Sequence, residues 1–537
     1  MGIKRAIQKF SRRREEKLKK KAFEKFLRTL GDKEEFKKLK AALDTAFDGA
    51  SFQVESMQYY NPLSQSANDD LNAEDREVMI ARCREAYNNS LYGKAAINRM
   101  IDGAVGTSGL SAKSNIDNET IGLSEEEAAT LQRFFNQKWK RWTRAKNCDI
   151  AGQDCFAKIL KKVSLGKYVD GDILVNTISQ KFSPKEEFSL KIQLIEGERL
   201  SNPFQVPDRE ATETENGLSQ GVEVNYFGRH IKYHIRGAHP GDTVNIKSVY
   251  TWQELPVYGE KSGRKRVFFV APFGRVGQTR GVPCLAVGLD KLKGIKAHSR
   301  HELVAAALQA IYTVIVKNIS PSEDTLHNNN NNLQKNLLGT VNSKRNVQLG
   351  AGLITYLAQN EDVIFADPTR PNANFSDFQD AQLKELAAGY GIPYEYLVLI
   401  FNSSYTAARA SFLQVKQKSD SDRFDLINDF CLDLWELFIL EILEDHEIPE
   451  EIEDLIDWDE VFDNDDYFFA ISGVTFSGSA LGSIDEVKDV QAAGLKIDKG
   501  LSDFDTEIRK IHGDSDFETV NSRLAEQLKY RREHGIA

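Results

Sequence analysis

An α+β fold is predicted by a change in the period of apolar residues along the chain of 537 residues. Over Ile173–Phe273 apolar and polar residues alternate, which is typical of strands with one buried face. From Tyr405 to about His446 the chain has no Gly or Pro, so one helix of about 60 Å is expected there. A shorter helix precedes it, with a capping pattern at Ser376 and a break at Gly391 and Pro393.

Helices are also predicted before the β region. Apolar residues at mixed three- and four-residue spacing predict a helix over Glu74–Val105. Ser124 is a suitable N-cap for a second helix, which runs to about Lys146. Trp139 and Trp142 line one side of that helix, with basic residues between them. A base-stacking surface can have this composition, but an aromatic stripe at helical spacing is more often part of a core.

Short strands joined by turns predict a mostly antiparallel β region. Phe227-Gly228-Arg229 is the expected turn between two of them. The predicted strands are Ile173–Ile178, Phe188–Ile195, Val222–Tyr226, His230–Ile235, Ser248–Tyr250 and Val267–Val270.

Beyond the β region the pattern becomes helical again. A helix is expected over Leu285–Val316, followed by a polar, Asn-rich excursion over Ile319–Gln348 and two short strands within Gly350–Phe365. The chain ends in a polar tail whose predicted helices are Asp485–Gln491, Phe504–His512 and Asp516–Arg532.

The net charge of −10 is distributed unevenly. Residues 1–50 form a basic arm whose positive charge lies in the first 40 residues, whereas Glu441–Asp466 contains many carboxylates and no Lys or Arg. The arm is either a solvated helix or a contact with nucleic acid or an acidic partner. A protein that grips nucleic acid tightly would not be this acidic overall, although one that lets DNA slide past could be. The basic residues of interest in the arm are Arg12, Arg13, Arg14, Lys19, Lys20 and Lys21.

Several classes of protein are disfavoured by composition. No run of about 18 apolar residues occurs, so no membrane-spanning helix is expected. No apolar segment follows the basic N-terminus, so no secretory signal is expected either. The five cysteines lack C-x-x-C spacing and are expected to be reduced thiols in a cytoplasmic protein.

No catalytic motif is convincing, and no enzyme, cofactor or metal is predicted. His298 and His301 are three residues apart on a predicted helix, but no third metal ligand stands at a fixed offset. The pair Asp170 and Asp172 lacks the repeating ligands of a calcium loop, so a turn before a strand is the better interpretation. The patterns G-x-S-x-G, H-E-x-x-H and Walker A do not occur.

A series of short motifs, taken in order, resembles the lambda-like family of portal proteins of tailed bacteriophages. The resemblance extends over about Glu74–Arg532. Each motif is weak alone, and their shared order makes the resemblance specific. The motifs are Trp139-x-x-Trp142, Cys148-Asp149-x-x-Gly152, Asp170-Gly171-Asp172, Gln193–Leu200, Gly221–Ile235, Gly277-Gln278-Thr279-Arg280-Gly281-Val282-Pro283, Leu386–Glu395, Asn402–Arg409 and Asp485–Ala492.

The resemblance implies a portal fold and a division of the chain. A β-rich wing, a helical stem, an α/β clip, a long wing helix and a helical crown are expected, and the subunits are expected to form a ring. The implied segments are a basic arm (1–50), the wing (51–284), the first stem helix (285–317), the clip (318–374), the second stem helix (375–397), the channel loop (398–405), the long wing helix with the acidic segment (406–482) and the crown (483–537).

The resemblance also implies a function and its partners. A ring of about twelve subunits at one capsid vertex would conduct double-stranded DNA, without sequence preference, during packaging, retention and ejection. Terminase, a head–tail connector, the major capsid protein and scaffold are the implied protein partners, with no membrane. The implied location is the virion, and the host cytoplasm during assembly.

Site residues follow from the same resemblance. The channel-loop residues expected to touch DNA are Asn402, Ser403, Ser404 and Tyr405, although Ser403 or Ser404 could simply cap the long helix. Arg280, Arg409 and Gln278 are expected to have structural or intersubunit roles. The arm residues from Arg12 to Lys21 are expected to contact DNA or the capsid interior.

Two other classes of function stay open at this point. One is a monomeric nucleic-acid- or membrane-surface-binding protein that acts through the basic arm. The other is a hydrolase that uses Asp170, Asp172 and a histidine.

Overall fold

A computed structural model describes residues 64–260, 262–311, 315–318, 361–364, 375–401, 404–445, 448–478, 485–512 and 517–535. The chain divides into two compact units, residues 1–66 and 67–537, and of the first unit only residues 64–66 are described. The basic arm, most of the predicted clip, and Asn402 and Ser403 therefore lie outside the described residues. The following sections concern the second unit.

The N-terminal helices were mostly predicted. The helix expected over Glu74–Val105 is present as α1 (Ala73–Asn89) and α2 (Leu91–Val105), which Ser90 separates by capping α2. A strand, β1 (Leu110–Ser114), and a short helix, α3 (Asn118–Ile121), follow. The next elements are α4 (Glu125–Trp142), which begins with a full capping box of Ser124 and Glu127, α5 (Ala145–Cys148) and α6 (Phe156–Val169).

The β region is antiparallel, as predicted, and it is divided into two sheets. Its strands are β2 (Ile173–Ser179), β3 (Leu190–Glu196), β4 (Gly217–Ser219), β5 (Val222–Val224), β6 (His230–Arg236), β7 (Trp252–Pro256) and β8 (Val267–Val270). One sheet has the order β3-β2-β8, and the other has the order β4-β5-β6-β7. The predicted turn at Gly228 joins β5 to β6, with a φ of 82° that favours glycine.

One predicted strand, Ser248–Tyr250, is wrong. The segment lies in a short helix, α7 (Ile246–Val249), and β7 starts two residues later. The physical reason is local, because the Asp242 carboxylate accepts hydrogen bonds from the backbone N–H groups of Val244 and Asn245. That turn starts a helical conformation before the short alternating run can form a strand.

The helix predicted over Leu285–Val316 is wrong at its C-terminal end. A 3-10 turn, Cys284–Gly288, leads into α8 (Leu289–Ile311). Ile315–Asn318 instead forms β9, which pairs antiparallel with β10 (Glu361–Ile364). The run Thr313-Val314-Ile315-Val316 is β-branched, and such residues favour strands over helices.

The predicted short helix, break and long helix are confirmed, but the first helix starts at Phe375, so Ser376 lies inside it and the predicted N-cap at Ser376 is wrong. α9 (Phe375–Tyr390) and the short α10 (Tyr394–Val398) flank Gly391, whose φ is 68°. The long helix starts at Tyr405 and consists of α11 (Tyr405–Leu426), one π-helical turn (Ile427–Cys431) and α12 (Leu432–Asp445).

The C-terminal part is helical apart from one strand. Three short helices, α13 (Glu450–Glu453), α14 (Trp458–Asp463) and α15 (Asp465–Ile471), precede β11 (Val474–Gly478). β11 pairs antiparallel with β1, far away in sequence. The predicted tail helices are confirmed as α16 (Glu486–Asp498), α17 (Phe504–His512) and α18 (Phe517–Glu533). None of the described helices is long and apolar enough to cross a membrane.

The largest apolar core is aromatic and joins distant parts of the chain. Trp139 of α4 has its ring 5.1 Å from that of Trp435 and 5.0 Å from that of Phe438, both in α12. Trp142 is fully buried, and its indole N–H donates to the carbonyl of Leu190 at 2.9 Å. The aromatic stripe of α4 is therefore core, as predicted, and it offers no surface for stacking bases.

Candidate functional site

Three motifs of the sequence meet at one buried point. Asp170-Gly171-Asp172 comes directly before β2, Glu196–Arg199 follows from β3, and Gly277–Pro283 follows β8. β2 is the middle strand of its sheet, and its first residue lies opposite the last residues of both β3 and β8. The register of this sheet therefore places the three motifs side by side.

Asp172 is the centre of this arrangement, and its side chain is 0 % exposed. Its Oδ2 accepts from Arg280 Nε at 2.8 Å and from the backbone N–H of Gly281 at 3.1 Å. Its Oδ1 accepts from Arg280 Nη2 at 3.0 Å and from Arg76 Nη2 at 2.8 Å. Burial alone would raise the pKa of Asp172, but the guanidinium groups of Arg280 and Arg76 outweigh it and lower that pKa.

Arg280 also binds the backbone on the other side of the centre. Its Nη1 donates to the carbonyl of Gln220 at 2.7 Å, and its Nη2 donates to that of Gly197 at 2.6 Å. Gln278 closes the same loop, because its amide donates to the Arg280 carbonyl and its Oε1 accepts from the backbone N–H of Gly274. Within one chain, both side chains hold backbone in place, and an intersubunit role for either stays a prediction.

Glycines are required where the backbone approaches this ion pair. Gly171 has a φ of 90°, and a Cβ there would lie 2.7 Å from the carbonyl oxygen of Gly281. A Cβ on Gly281 would in turn collide with the carbonyl of Gly171, and one on Gly197 would collide with the Asp172 carboxylate. Steric exclusion of a Cβ therefore explains why glycine occupies these positions in the three motifs.

The surroundings of Asp172 and Asp170 argue against the hydrolase hypothesis. Asp172 is shielded from solvent and has donors on both oxygens, so no substrate can reach it. The other carboxylate, that of Asp170, is bound by Arg84 through Nε at 2.7 Å and Nη2 at 2.9 Å. Both carboxylates have structural partners, and neither is placed to act as a catalytic base.

Beside Arg84 lies a group that resembles a metal site. Ligand atoms of Glu196, Glu198 and His239 lie close enough together to hold an ion. However, the backbone N–H of Gly241 donates to His239 Nδ1 at 3.0 Å, which leaves the proton on Nε2. That nitrogen donates to Glu198, while Arg84 Nη1 supplies a positive charge to the same carboxylate at 2.6 Å. The arrangement fits a hydrogen-bonded ion cluster better than a cation site.

The predicted channel loop is only partly within the described residues. Ser404 caps the long helix, because its Oγ accepts from the backbone N–H of Ala407 at 3.4 Å. Tyr405 is half exposed, with the ammonium of Lys488 5.4 Å from its ring centre. Arg409 lies one turn further along and pairs with Asp489 of α16 at 3.5 Å. Contacts of these residues with DNA or a second subunit stay predictions.

Sequence reasoning missed Arg76. It is buried on the apolar face of α1, four and seven residues before the buried Ile80 and Cys83. A charged residue in phase with buried apolar ones signals a buried ion pair, and this spacing could have indicated Arg76. Its pKa is lowered to about 10, mainly by burial and then by Arg280, so it stays protonated at neutral pH.

The contacts by which α10 joins three other helices were also not predicted from the sequence. Tyr394 donates to Asp380 of α9 at 2.8 Å, and Glu395 accepts from Ser411 of α11 at 3.4 Å. The carbonyl of Tyr396 accepts from Arg99 Nε of α2 at 2.9 Å. Three successive residues thus fix α10 to three different helices.

Together these features define a protein of the α+β class, in which the charged side chains of the three motifs hold the backbone in place. The sequence profile of the lambda family of phage portal proteins matches residues 54–423. The chain belongs to that family, and the predicted resemblance is confirmed.

Relatives of known name agree with this assignment. Portal protein B of Escherichia phage lambda is 22 % identical over 438 residues, which are 78 % of this chain and 77 % of that protein. The portal protein of Escherichia phage N15 is 22 % identical over 436 residues, with the same two shares. A probable portal protein of Halomonas phage phiHAP-1 is 23 % identical over 329 residues, 60 % of this chain and 58 % of that one.

Solved structures show a more distant similarity. A chain in the neck of an empty GTA particle, computed with C6 symmetry, has a TM-score of 0.43 and 10 % identity. The match covers 83 % of this chain and 98 % of that one. A chain in the neck of a native GTA particle, computed with C12 symmetry, has a TM-score of 0.44 and 10 % identity, with 81 % and 93 % covered.

Replacing Asp172 with Asn should lower the free energy of unfolding by about 3–5 kcal/mol, because two buried guanidinium groups lose their counter-charge. The matched control is Asp70→Asn, which breaks the half-exposed pair with Arg275 and should cost under about 1 kcal/mol. Denaturant unfolding followed by tryptophan fluorescence measures both, and equal losses would contradict the role of Asp172.

The stability that Asp172 contributes to the folded protein should decrease as the pH falls. The folded pKa of Asp172 lies below its unfolded value, so its contribution is complete above about pH 4 and is lost as the pH falls through the folded pKa. The difference in stability between the parent and Asp172→Asn should therefore shrink on acidification.

Gly281→Ala should prevent the ion centre from closing, because its Cβ collides with the Gly171 carbonyl. Soluble yield and thermal unfolding should both fall. The control is Gly294→Ala in α8, where a Cβ meets nothing within 4 Å and should stabilise the helix by up to about 1 kcal/mol. Tolerance of Ala at position 281 would show that the tight packing is not required.

Proposed function

We propose that this portal protein forms a closed ring of about twelve subunits at one vertex of the capsid and conducts DNA during packaging, retention and ejection. The observation that carries the proposal is the family match over residues 54–423. Terminase during packaging, a head–tail connector afterwards, and the major capsid protein with scaffold are the proposed protein partners. Assembly is proposed to take place in the host cytoplasm, and no enzymatic activity is assigned.

The division of the chain into working parts belongs to the same proposal. The β sheets belong to the wing, α8 and α9 are the two stem helices, and the β9–β10 pair belongs to the clip. The segment between α10 and α11 is the channel loop, the helix from Tyr405 to Asp445 crosses the wing, and α16 to α18 form the crown.

The electrostatics of the described residues suit a channel that lets DNA slide. Helices α13 to α15 expose a row of carboxylates, among them Glu451, Asp459 and Asp466. Such groups repel phosphate and lower non-specific affinity. Glu441, at the start of the acidic segment, differs because it is buried and accepts hydrogen bonds from Ser189 Oγ and the backbone N–H of Leu190. The segment therefore combines a solvated face with one structural anchor.

The channel loop supplies the proposed contacts with DNA. Ser404 and the half-exposed Tyr405 are neutral hydrogen-bonding groups, and the same is true of Asn402 and Ser403 in the sequence. Neutral donors can touch phosphate without holding it strongly, which is what a sequence-independent channel needs. The basic arm of residues 1–50 is proposed to contact DNA or the capsid interior.

Mass measurement in solution should show a closed oligomer of about twelve 60.6-kDa chains, roughly 730 kDa. A chain that lacks residues 1–40 should form the same ring if the arm is peripheral. A persistent monomer would overturn the proposal and favour the alternative, a nucleic-acid- or membrane-surface-binding protein that acts through the arm.

The variant Ser404→Asp separates capping from contact with DNA. Asp keeps the helix cap but adds a negative charge, so ring formation should be unchanged while the amount of DNA packaged falls. Ser124→Asp, at the cap of α4, is the matched control and should leave packaging unchanged. Normal packaging by Ser404→Asp would mean that Ser404 only caps the helix.

A further inference from the structure

An exposed apolar tip lies directly after α10. Leu399, Ile400 and Phe401 are 56 %, 48 % and 56 % exposed. Leu399 has a φ of 56°, a left-handed conformation that turns the chain away from the helix axis. The base of the tip is rigid, because the preceding helix is fixed to α9, α11 and α2 by its own hydrogen bonds. Three consecutive apolar side chains are thus held out in solvent.

An unfilled groove lies at the other end of the same short helix. Its volume is about 680 Å³, and its apolar wall includes Ala387, Ala388, Ile392 and Pro393. No side chain intrudes from Gly391, where only a glycine favours the observed φ of 68°. The groove thus offers apolar surface from α9 and Pro393 beside a polar edge of Gln414, Gln417 and Ser421 of α11.

The charged residues at the edge of the groove already have partners. Lys418 Nζ lies 2.6 Å from the carboxylate of Asp422, and Lys384 Nζ lies 5.4 Å from the ring centre of Tyr394. Lys418 is compensated by that carboxylate, whereas the exposed Lys384 keeps its charge, and one uncompensated Lys is a weak site for duplex DNA. An apolar occupant fits it better than DNA does.

The tip and the groove belong to one subunit but do not meet within it. They lie at opposite ends of α10, a helix of five residues and about 7.5 Å. A closed ring is built from head-to-tail contacts, in which each subunit offers one surface to one neighbour and a different surface to the other. A projecting tip and a recess on one subunit are such a pair of surfaces.

We propose that the tip Leu399–Phe401 of one subunit packs into the groove of a second copy of this chain, next to it in the ring. The inference rests on the proposed ring and names one contact that closes it. Because the tip is the first part of the channel loop, each loop is anchored on the neighbouring subunit. The loops around the ring are then coupled to one another and do not move independently.

A pair of cysteines tests this contact in the full-length chain. Ala388→Cys in the groove and Phe401→Cys in the tip should form disulfides between subunits on mild oxidation. A denaturing gel without reductant should then show a ladder of covalent oligomers up to the ring number. Each single variant, and the parent with its five native cysteines, should show no ladder.

The outcomes separate the contact from the ring itself. If the parent forms no ring by mass, the proposed function fails. If the ring forms but the double variant gives no ladder, or a link only within one chain, the ring stands and this contact is wrong.

A second measurement does not depend on disulfide formation. Phe401→Ala should raise the concentration needed for half-assembly by about tenfold, because an apolar contact is lost at every interface. The matched control is Phe227→Ala, at the exposed β5–β6 turn, which should leave assembly unchanged. Unchanged assembly by Phe401→Ala, together with reduced DNA packaging, would place the tip against DNA and overturn the proposal.

Discussion

The buried Asp172 carboxylate needs positively charged partners, and this requirement organises the β region and the helix beside it. An isolated charge in a protein interior is too costly to keep, so the fold brings donors from separate elements to one point. Arg76 comes from α1 and Arg280 from the segment after the three-stranded sheet, and Arg280 also donates to the Gln220 carbonyl in the turn between β4 and β5. One ion centre therefore fixes a helix and two sheets relative to each other, and it dictates which nearby residues must be glycine.

The features that could be predicted from the sequence are those determined by neighbouring residues. The cap at Ser124, the aromatic stripe of α4 and the break at Gly391 are local patterns, and all are present. The predicted helix end at Val316 failed because its β-branched residues pair with a strand over forty residues away. Periodicity within a window carries no information on such a partner.

The ion centre shows the same limit at the level of function. The sequence marked Asp170 and Asp172 as a possible carboxylate pair, and their types and spacing were compatible with a turn, a metal loop or catalysis. The choice between these depends on Arg84, Arg76 and Arg280, which are about 85 to 110 residues distant. The packing of α1 brings Arg76 and Arg84 to the two carboxylates, and the register of the three-stranded sheet brings Arg280 there. The resemblance to portal proteins supplied the family, and the structure supplied the reason for the motifs.

The aromatic core has a consequence for synthesis of the chain. Trp139 on α4 is covered by Trp435 and Phe438 on α12, and the intervening chain holds strands β2 to β10 and helices α5 to α11. At 5–20 residues per second, the ribosome needs roughly 15–60 s to make the about 290 residues between them. During that interval the aromatic face of α4 lacks its native cover. Apolar surface exposed in this way favours aggregation of nascent chains until the long helix emerges.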